Sequence, residues 1–205
     1  IQYYMKFFIY YLLLITYLSA STLNLSMNSS PSRLNPILAN DSASSEISDW
    51  LFNGLFKYDK NGNPIVDLAQ SYEFKDQTTL IIKLKENVLW HDNTKFTAKD
   101  VIFTYEKIID PKVFNSIKSN FQQVKSVKAL DDYTIEVIYS QAYFKAIETW
   151  MVGILPYHLL KDEENLMTSS FNKNPIGTGS YKLKEFKQVQ DIELIANDKY
   201  FEGRP

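Results

Sequence analysis

The sequence predicts a mixed α/β fold of the α+β kind. Three observations predict it. Apolar residues make up 45% of the 205, enough for a packed core. Period-2 segments such as residues 79–85 sit beside helical-period segments such as 97–110. The two kinds do not alternate strictly as βαβ units would.

The elements follow in chain order. Residues 7–18 form an apolar run broken only by Thr16, preceded by Met5-Lys6 and followed by the small residues Ser19-Ala20-Ser21. The run is shorter than the roughly 20 apolar residues that span a bilayer, so residues 1–21 read as an export signal cleaved before Thr22, with an uncleaved membrane anchor and a buried helix as the alternatives. Leu23, Leu25 and Met27 alternate with Asn24, Ser26 and Asn28, which predicts a strand, and residues 29–36 a loop with two prolines. Asp41-Ser42 opens a helix to about Phe52, with Ile47, Trp50 and Leu51 on one face and Gly54 as its stop. Residues 55–58 enter a strand that Asp59-Lys60-Asn61-Gly62 turns.

Leu80, Ile82 and Leu84 line one side of a strand over 79–85, and residues 90–95 form a polar turn. Thr97 begins a helix with Asp100 three residues on, in the manner of a capping box, with Val101, Tyr105 and Ile108 on a shared face and Asp110-Pro111 as its end. After Asp131-Asp132, residues 133–139 are β-branched and aromatic, a strand. Residues 142–151 read as a helix with Phe144, Ile147 and Met151 inward, and Pro156 starts a short one. Residues 175–186 and 191–196 form a last pair of strands.

Several chemistries are excluded or unsupported. There is no Cys, so disulfides, thiolate zinc sites and cysteine nucleophiles are out. The absent Cys also removes a lipid-anchored cysteine. The net charge of −2 comes without a basic stripe, which argues against nucleic acid. His91 and His158 have no partner His at metal-ligand spacing. No G-x-S-x-G elbow or P-loop occurs, and Gly177-Thr178-Gly179 has Lys182 where a third fingerprint glycine would stand, leaving a tight backbone crossing into a strand as its plain reading. No cofactor, metal or catalytic residue is expected. The 14 Tyr and 13 Phe pack a core or line a ligand cleft.

Motifs then point to a family. Leu68-Ala69-Gln70-Ser71-Tyr72, a strand, Trp90 and the run His91-Asp92-Asn93-Thr94-Lys95-Phe96-Thr97-Ala98-Lys99-Asp100-Val101 resemble the signature of the dipeptide/oligopeptide branch of extracellular solute-binding proteins. Asn93 stands where Gly is usual and Lys95 where Pro is. Leu34-Asn35-Pro36, Pro175-Ile176-Gly177-Thr178-Gly179-Ser180-Tyr181 and residues 197–205 resemble further family motifs, in order and spacing.

The resemblance implies a two-lobed periplasmic-binding-protein fold with a cleft. Residues 22–54 and 176–205 would build the first lobe and 55–175 an inserted subdomain, while a second lobe would follow residue 205, making this chain a fragment or a truncated product. It implies a periplasmic, monomeric substrate-binding component that hands a peptide or other small solute to ABC importer permease subunits, and no enzyme. It places Asn40, Asp41, Ser42 and Ala43 at the cleft, with Asn120 and Phe121 bordering it and Gly177, Thr178 and Gly179 at re-entry into the first lobe. Helix capping by Asp41 or Ser42 and a core role for Phe121 stay open beside that. The residues matching a metal-carrier site are Phe114, Ile117 and Val152, none of them cationic. A binder of a nickel or other metal-carrier complex, a peptide-presenting signalling protein and a nonfunctional product are the alternatives.

Overall fold

The computed structural model describes residues 26–187 and 191–205. The export signal and residues 23–25 of the first expected strand lie outside them, and residues 26–28 carry no strand. Helix α1, Ser42–Leu51, starts where the Asp41 carboxylate accepts the backbone N–H of Ser44. It ends because Phe52 takes an extended conformation. Gly54 is therefore not its stop. A Cβ on Gly54 would lie 2.6 Å from the backbone of Met151, and close approach of that chain is what the glycine serves.

Strands β1, Phe56–Tyr58, and β2, Pro64–Val66, form a hairpin. Asp59 Oδ1 accepts the N–H groups of Asn61 and Asn63 across the turn, and Gly62 supplies its positive φ of 80°.

The main sheet is antiparallel throughout, in the order β3-β4-β6-β5. Its strands are β3, Ala69–Phe74; β4, Thr79–Leu84; β5, Val124–Asp131; and β6, Thr134–Tyr139. Leu80, Ile82 and Leu84 share one buried face with Ile135, Val137 and Tyr139. Ile81 is buried on the other face, so β4 is covered on both sides. Helix α2, Ala98–Ile109, lies against β5 and buries Val101, Phe103 and Ile108. Helix α3, Tyr157–Leu160, packs on α2.

The helix expected over 142–151 is replaced by a turn and a single 3₁₀ turn, Glu148–Met151. Tyr139 is the cause. Its hydroxyl donates to the Ala146 carbonyl at 2.7 Å, the group that an α-helix would give to the Trp150 N–H. The Trp150 N–H bonds instead to Ile147 O, and its indole N–H donates to the Tyr139 hydroxyl. Phe144 consequently points outward, 87% exposed, and Ala146, Thr149 and Trp150 are the buried residues.

The chain then runs without regular strand through 175–180 into β7, Tyr181–Phe186, paired with β8, Ile192–Ala196. Among the described residues no helix is long and apolar enough to cross a membrane.

Candidate functional site

The site residues expected from sequence fall at the two ends of α1. At its start, Asp41 serves as cap, and its other carboxylate oxygen accepts the hydroxyls of Ser32 and Ser44, each at 2.7 Å. Partial desolvation opposes the charge, but these two hydroxyls and the Ser44 N–H outweigh it and hold the carboxyl at about 2. Asn40 and Ser42 face solvent, and Ala43 is buried under the helix.

The Ser116 hydroxyl donates to Asn40 Oδ1 at 3.0 Å. This bond brings the 40–43 loop beside the 3₁₀ turn Ile117–Phe121. There Asn120 is exposed, and its carbonyl lies 3.4 Å from the Thr149 hydroxyl. Phe121 is a core residue, 3% exposed, with its ring edge-on to Trp150 at 5.4 Å and 6.0 Å from Tyr105. Phe114, two residues before Ser116, is 80% exposed. Asn40, Asp41, Ser42 and Asn120 thus form a polar rim with one unburied aromatic beside it.

Gly177, Thr178 and Gly179 lie at the other end of α1, about 15 Å along its axis at 1.5 Å per residue. All three are buried. A Cβ on Gly177 would lie 1.8 Å from the Leu51 carbonyl oxygen, and one on Gly179 2.3 Å from that of Trp50. No side chain fits there. The Gly179 N–H donates to Leu51 O at 2.8 Å, which ties the crossing to the helix end.

Around this crossing the structure assembles polar groups that sequence reasoning missed. The Thr178 hydroxyl donates to Asn53 Oδ1, and Asn53 Nδ2 donates to Asp67 Oδ2 at 2.9 Å and to the Tyr200 hydroxyl at 3.1 Å. Lys57 Nζ bridges Asp67 Oδ1, 3.2 Å away, and the Glu202 carboxylate. Burial pushes the Asp67 carboxyl up, against the pull of Asn53 and Lys57. Asn53 and Asp67 stand alone in the sequence, with no spacing that marks them.

His91 grips the same crossing. Its backbone N–H donates to Gly177 O at 2.8 Å, Nδ1 accepts the Gly177 N–H at 3.2 Å, and Nε2 lies 3.1 Å from Gly179 O. A carbonyl can only accept and an N–H only donate, so the imidazole is the neutral Nε2–H tautomer. Burial first, and Lys182 after it, push its pKa down to about 4, against the pull of the Gly179 carbonyl and Asp92. His158 lies elsewhere, 2.7 Å from Asp92 and 6.0 Å from the Trp90 ring.

Among the described residues no three His, Asp or Glu side chains gather to hold a metal ion. Two surface depressions, of about 150 and 450 Å³, run along α2 past Lys107 and Asp110, and neither touches the rim or the crossing.

Residues 63–205 match the family model for bacterial extracellular solute-binding proteins, family 5 Middle. The chain is 36% identical over 181 residues to the oligopeptide-binding protein AppA of Bacillus subtilis, covering 85% of this chain and 33% of that one. The structure of AppA from Bacillus subtilis in complex with a nonapeptide matches with a TM-score of 0.82 at 35% identity, over 87% of this chain and 37% of that chain. NikZ from Campylobacter jejuni, in complex with Ni(L-His), matches with a TM-score of 0.78 at 36% identity, over 89% and 36% of the respective chains. The chain spans about a third of the length of the curated relatives it matches.

Proposed function

The chain belongs to the bacterial extracellular solute-binding proteins of family 5, and from that premise we propose that it forms the cleft-bearing first lobe of a substrate-binding component that captures peptides for an ABC importer. Residues 22–54 and 176–205 form that lobe, and residues 55–175 form a subdomain inserted in it. In support, the four-stranded sheet lies wholly within the insertion, and the chain returns onto the end of α1 at Gly177.

The observation that carries the peptide reading is the rim joined by the Ser116–Asn40 hydrogen bond. It offers neutral amide and hydroxyl groups beside an exposed aromatic, Phe114, and its one charge, the Asp41 carboxylate, is already engaged by Ser32 and Ser44. Peptides of varied sequence are best held by polar groups that meet their backbone, with side chains in roomy, wet surroundings. The protein works outside the inner membrane after losing residues 1–21, as a monomer that passes ligand to permease subunits, with no covalent step.

A second reading is favoured by the 36% identity to the nickel–histidine-bound NikZ chain. In that reading the same rim takes a small metal complex.

Calorimetric titration decides between them. The ligands are a mixed nonapeptide pool and nickel–histidine, and the proteins are residues 22–205 and the same chain extended by its downstream coding sequence. The extended protein should bind the peptide pool, and residues 22–205 should bind it tens to about a hundredfold more weakly. One lobe leaves much of the ligand in water, and a lost charge-assisted contact costs about 2–3 kcal/mol. Saturable binding of nickel–histidine alone would select the second reading. Equal, tight peptide binding by both proteins would put the whole site within this chain.

A further inference from the structure

Both ring nitrogens of His91 are committed to the crossing, in opposite senses. Nε2 serves as donor to Gly179 O, and Nδ1 as acceptor for the Gly177 N–H. No third arrangement is open to the ring, which is buried and 8% exposed. A proton added to Nδ1 would set two N–H groups against each other at 3.2 Å and place a charge in a buried pocket.

We propose that His91 is an acid-responsive latch: a proton on Nδ1 converts the acceptor that holds the Gly177 N–H into a second donor and loosens the hold of the 90–95 turn on the 177–179 crossing. The other partners of the crossing do not change. The His91 backbone N–H keeps Gly177 O at 2.8 Å, Gly179 keeps its N–H bond to Leu51 O, its carbonyl keeps Asn197 Nδ2 at 3.0 Å, and Thr178 keeps Asn53. Loosening is therefore confined to the side facing the turn, and α1 stays attached.

The charged groups around the ring set the direction. Lys182, on β7, reaches the His91 carbonyl with Nζ at 3.4 Å and disfavours a second positive charge. Asp92, on the same turn, favours one, but its carboxylate is turned to His158 of α3 at 2.7 Å and to the Thr94 N–H. Residues 175–180 carry no titratable side chain. Burial accordingly wins and keeps the ring neutral until the solution is acid, with a pKa near 4. The sign follows: a folded pKa below the ordinary imidazole value of 6.5 means that the latch is closed above about 6.5 and weakens as pH falls toward 4.

Hydrogen exchange tests this on the whole chain. Protection factors, corrected for the pH dependence of chemical exchange, are measured for the Gly177 and Gly179 amides between pH 7.5 and 4.5. They should fall by roughly tenfold per pH unit below about 6. Amides of β4 and β6 should hold their protection over the same range. The variant His91→Gln, which keeps a donor and an acceptor but cannot titrate, should lose the pH dependence at the crossing. Constant protection at Gly177, a parallel fall in the Gln variant, or simultaneous loss in β4 and β6 would each overturn the latch. Should His91→Gln fail to fold, ¹⁵N spectra of the wild-type imidazole replace it. Protonation must then coincide with loss of protection at Gly177, and a ring that takes up its proton while the crossing stays protected refutes the proposal.

Discussion

One carboxylate of Asp100 joins two helix starts: Oδ2 accepts the Thr97 N–H that opens α2, at 2.8 Å, and Oδ1 accepts the Tyr157 N–H that opens α3, at 2.9 Å. The residue is 3% exposed. Asp100→Ala leaves two part-buried donors without their partner and should cost about 1–3 kcal/mol, read from the shift of the urea midpoint. Asp100→Asn keeps one acceptor oxygen and should cost less. Equal stability of the Ala variant and the wild type would mean that solvent satisfies both donors.

Lys57→Met should destabilise more at pH 7 than at pH 4.5. The substitution strips Asp67 of its ammonium partner and leaves the carboxylate leaning on Asn53 alone. Burial already raises the Asp67 carboxyl, and losing Lys57 raises it further. A folded pKa above the unfolded one penalises the charged form above that pKa, and protonation removes the penalty as pH falls. Urea midpoints at the two pH values give the comparison, and a penalty independent of pH would show that Asp67 does not depend on Lys57.

Phe121 and Phe144 should separate cleanly. Phe121→Ala empties a site between Trp150 and Tyr105 and should cost about 3–5 kcal/mol. Phe144→Ser changes a side chain that is 87% exposed and should stay within about 0.5 kcal/mol. Thermal melts of the two variants suffice, and a large loss at Phe144 would mean that its ring is covered in solution.

Asp41 carries two possible duties, and Asp41→Ser tells them apart. A serine can cap α1 but carries no charge. Stability at pH 7 should fall by less than about 1 kcal/mol, whereas Asp41→Ala should lose about 1–2 kcal/mol. The wild-type advantage, present above the ordinary carboxyl value of 3.8, should fade as pH drops toward 2. Peptide affinity that falls in the Ser variant while stability holds would give the carboxylate a role at the rim.

The central strands of the sheet were readable from sequence because they are half or wholly buried. Ile135 and Val137 alternate with less buried residues, and Leu80, Ile82 and Leu84 share their face, while Ile81 is covered from the other side and leaves β4 a near-continuous apolar run. The outer strands β3 and β5 were not readable. They run Gln70-Ser71-Tyr72-Glu73 and Lys125-Ser126-Val127-Lys128, polar as befits edges that must not pair with other chains. The error at 142–151 had another source. A helical period was present, but a hydroxyl at the end of the preceding strand took the carbonyl the helix needed. At the candidate site, the glycine pair and the Asp41 cap were legible because backbone geometry restricts residue type. The partners Asn53 and Asp67 were not, since long-range contacts gather them and no local spacing marks them; His91 stood in a family motif, but its grip on the crossing is a long-range contact that the motif does not show.

Asn93 holds the turn after Trp90 with a φ of 72°, a conformation that asparagine tolerates better than other residues with a side chain. Its Oδ1 also accepts Lys199 Nζ at 2.7 Å. A glycine would relax the turn and cut that tether. Positions 93 and 199 should therefore drift as a couple: homologues with glycine at the first have no reason to retain a lysine at the second, and those with asparagine do.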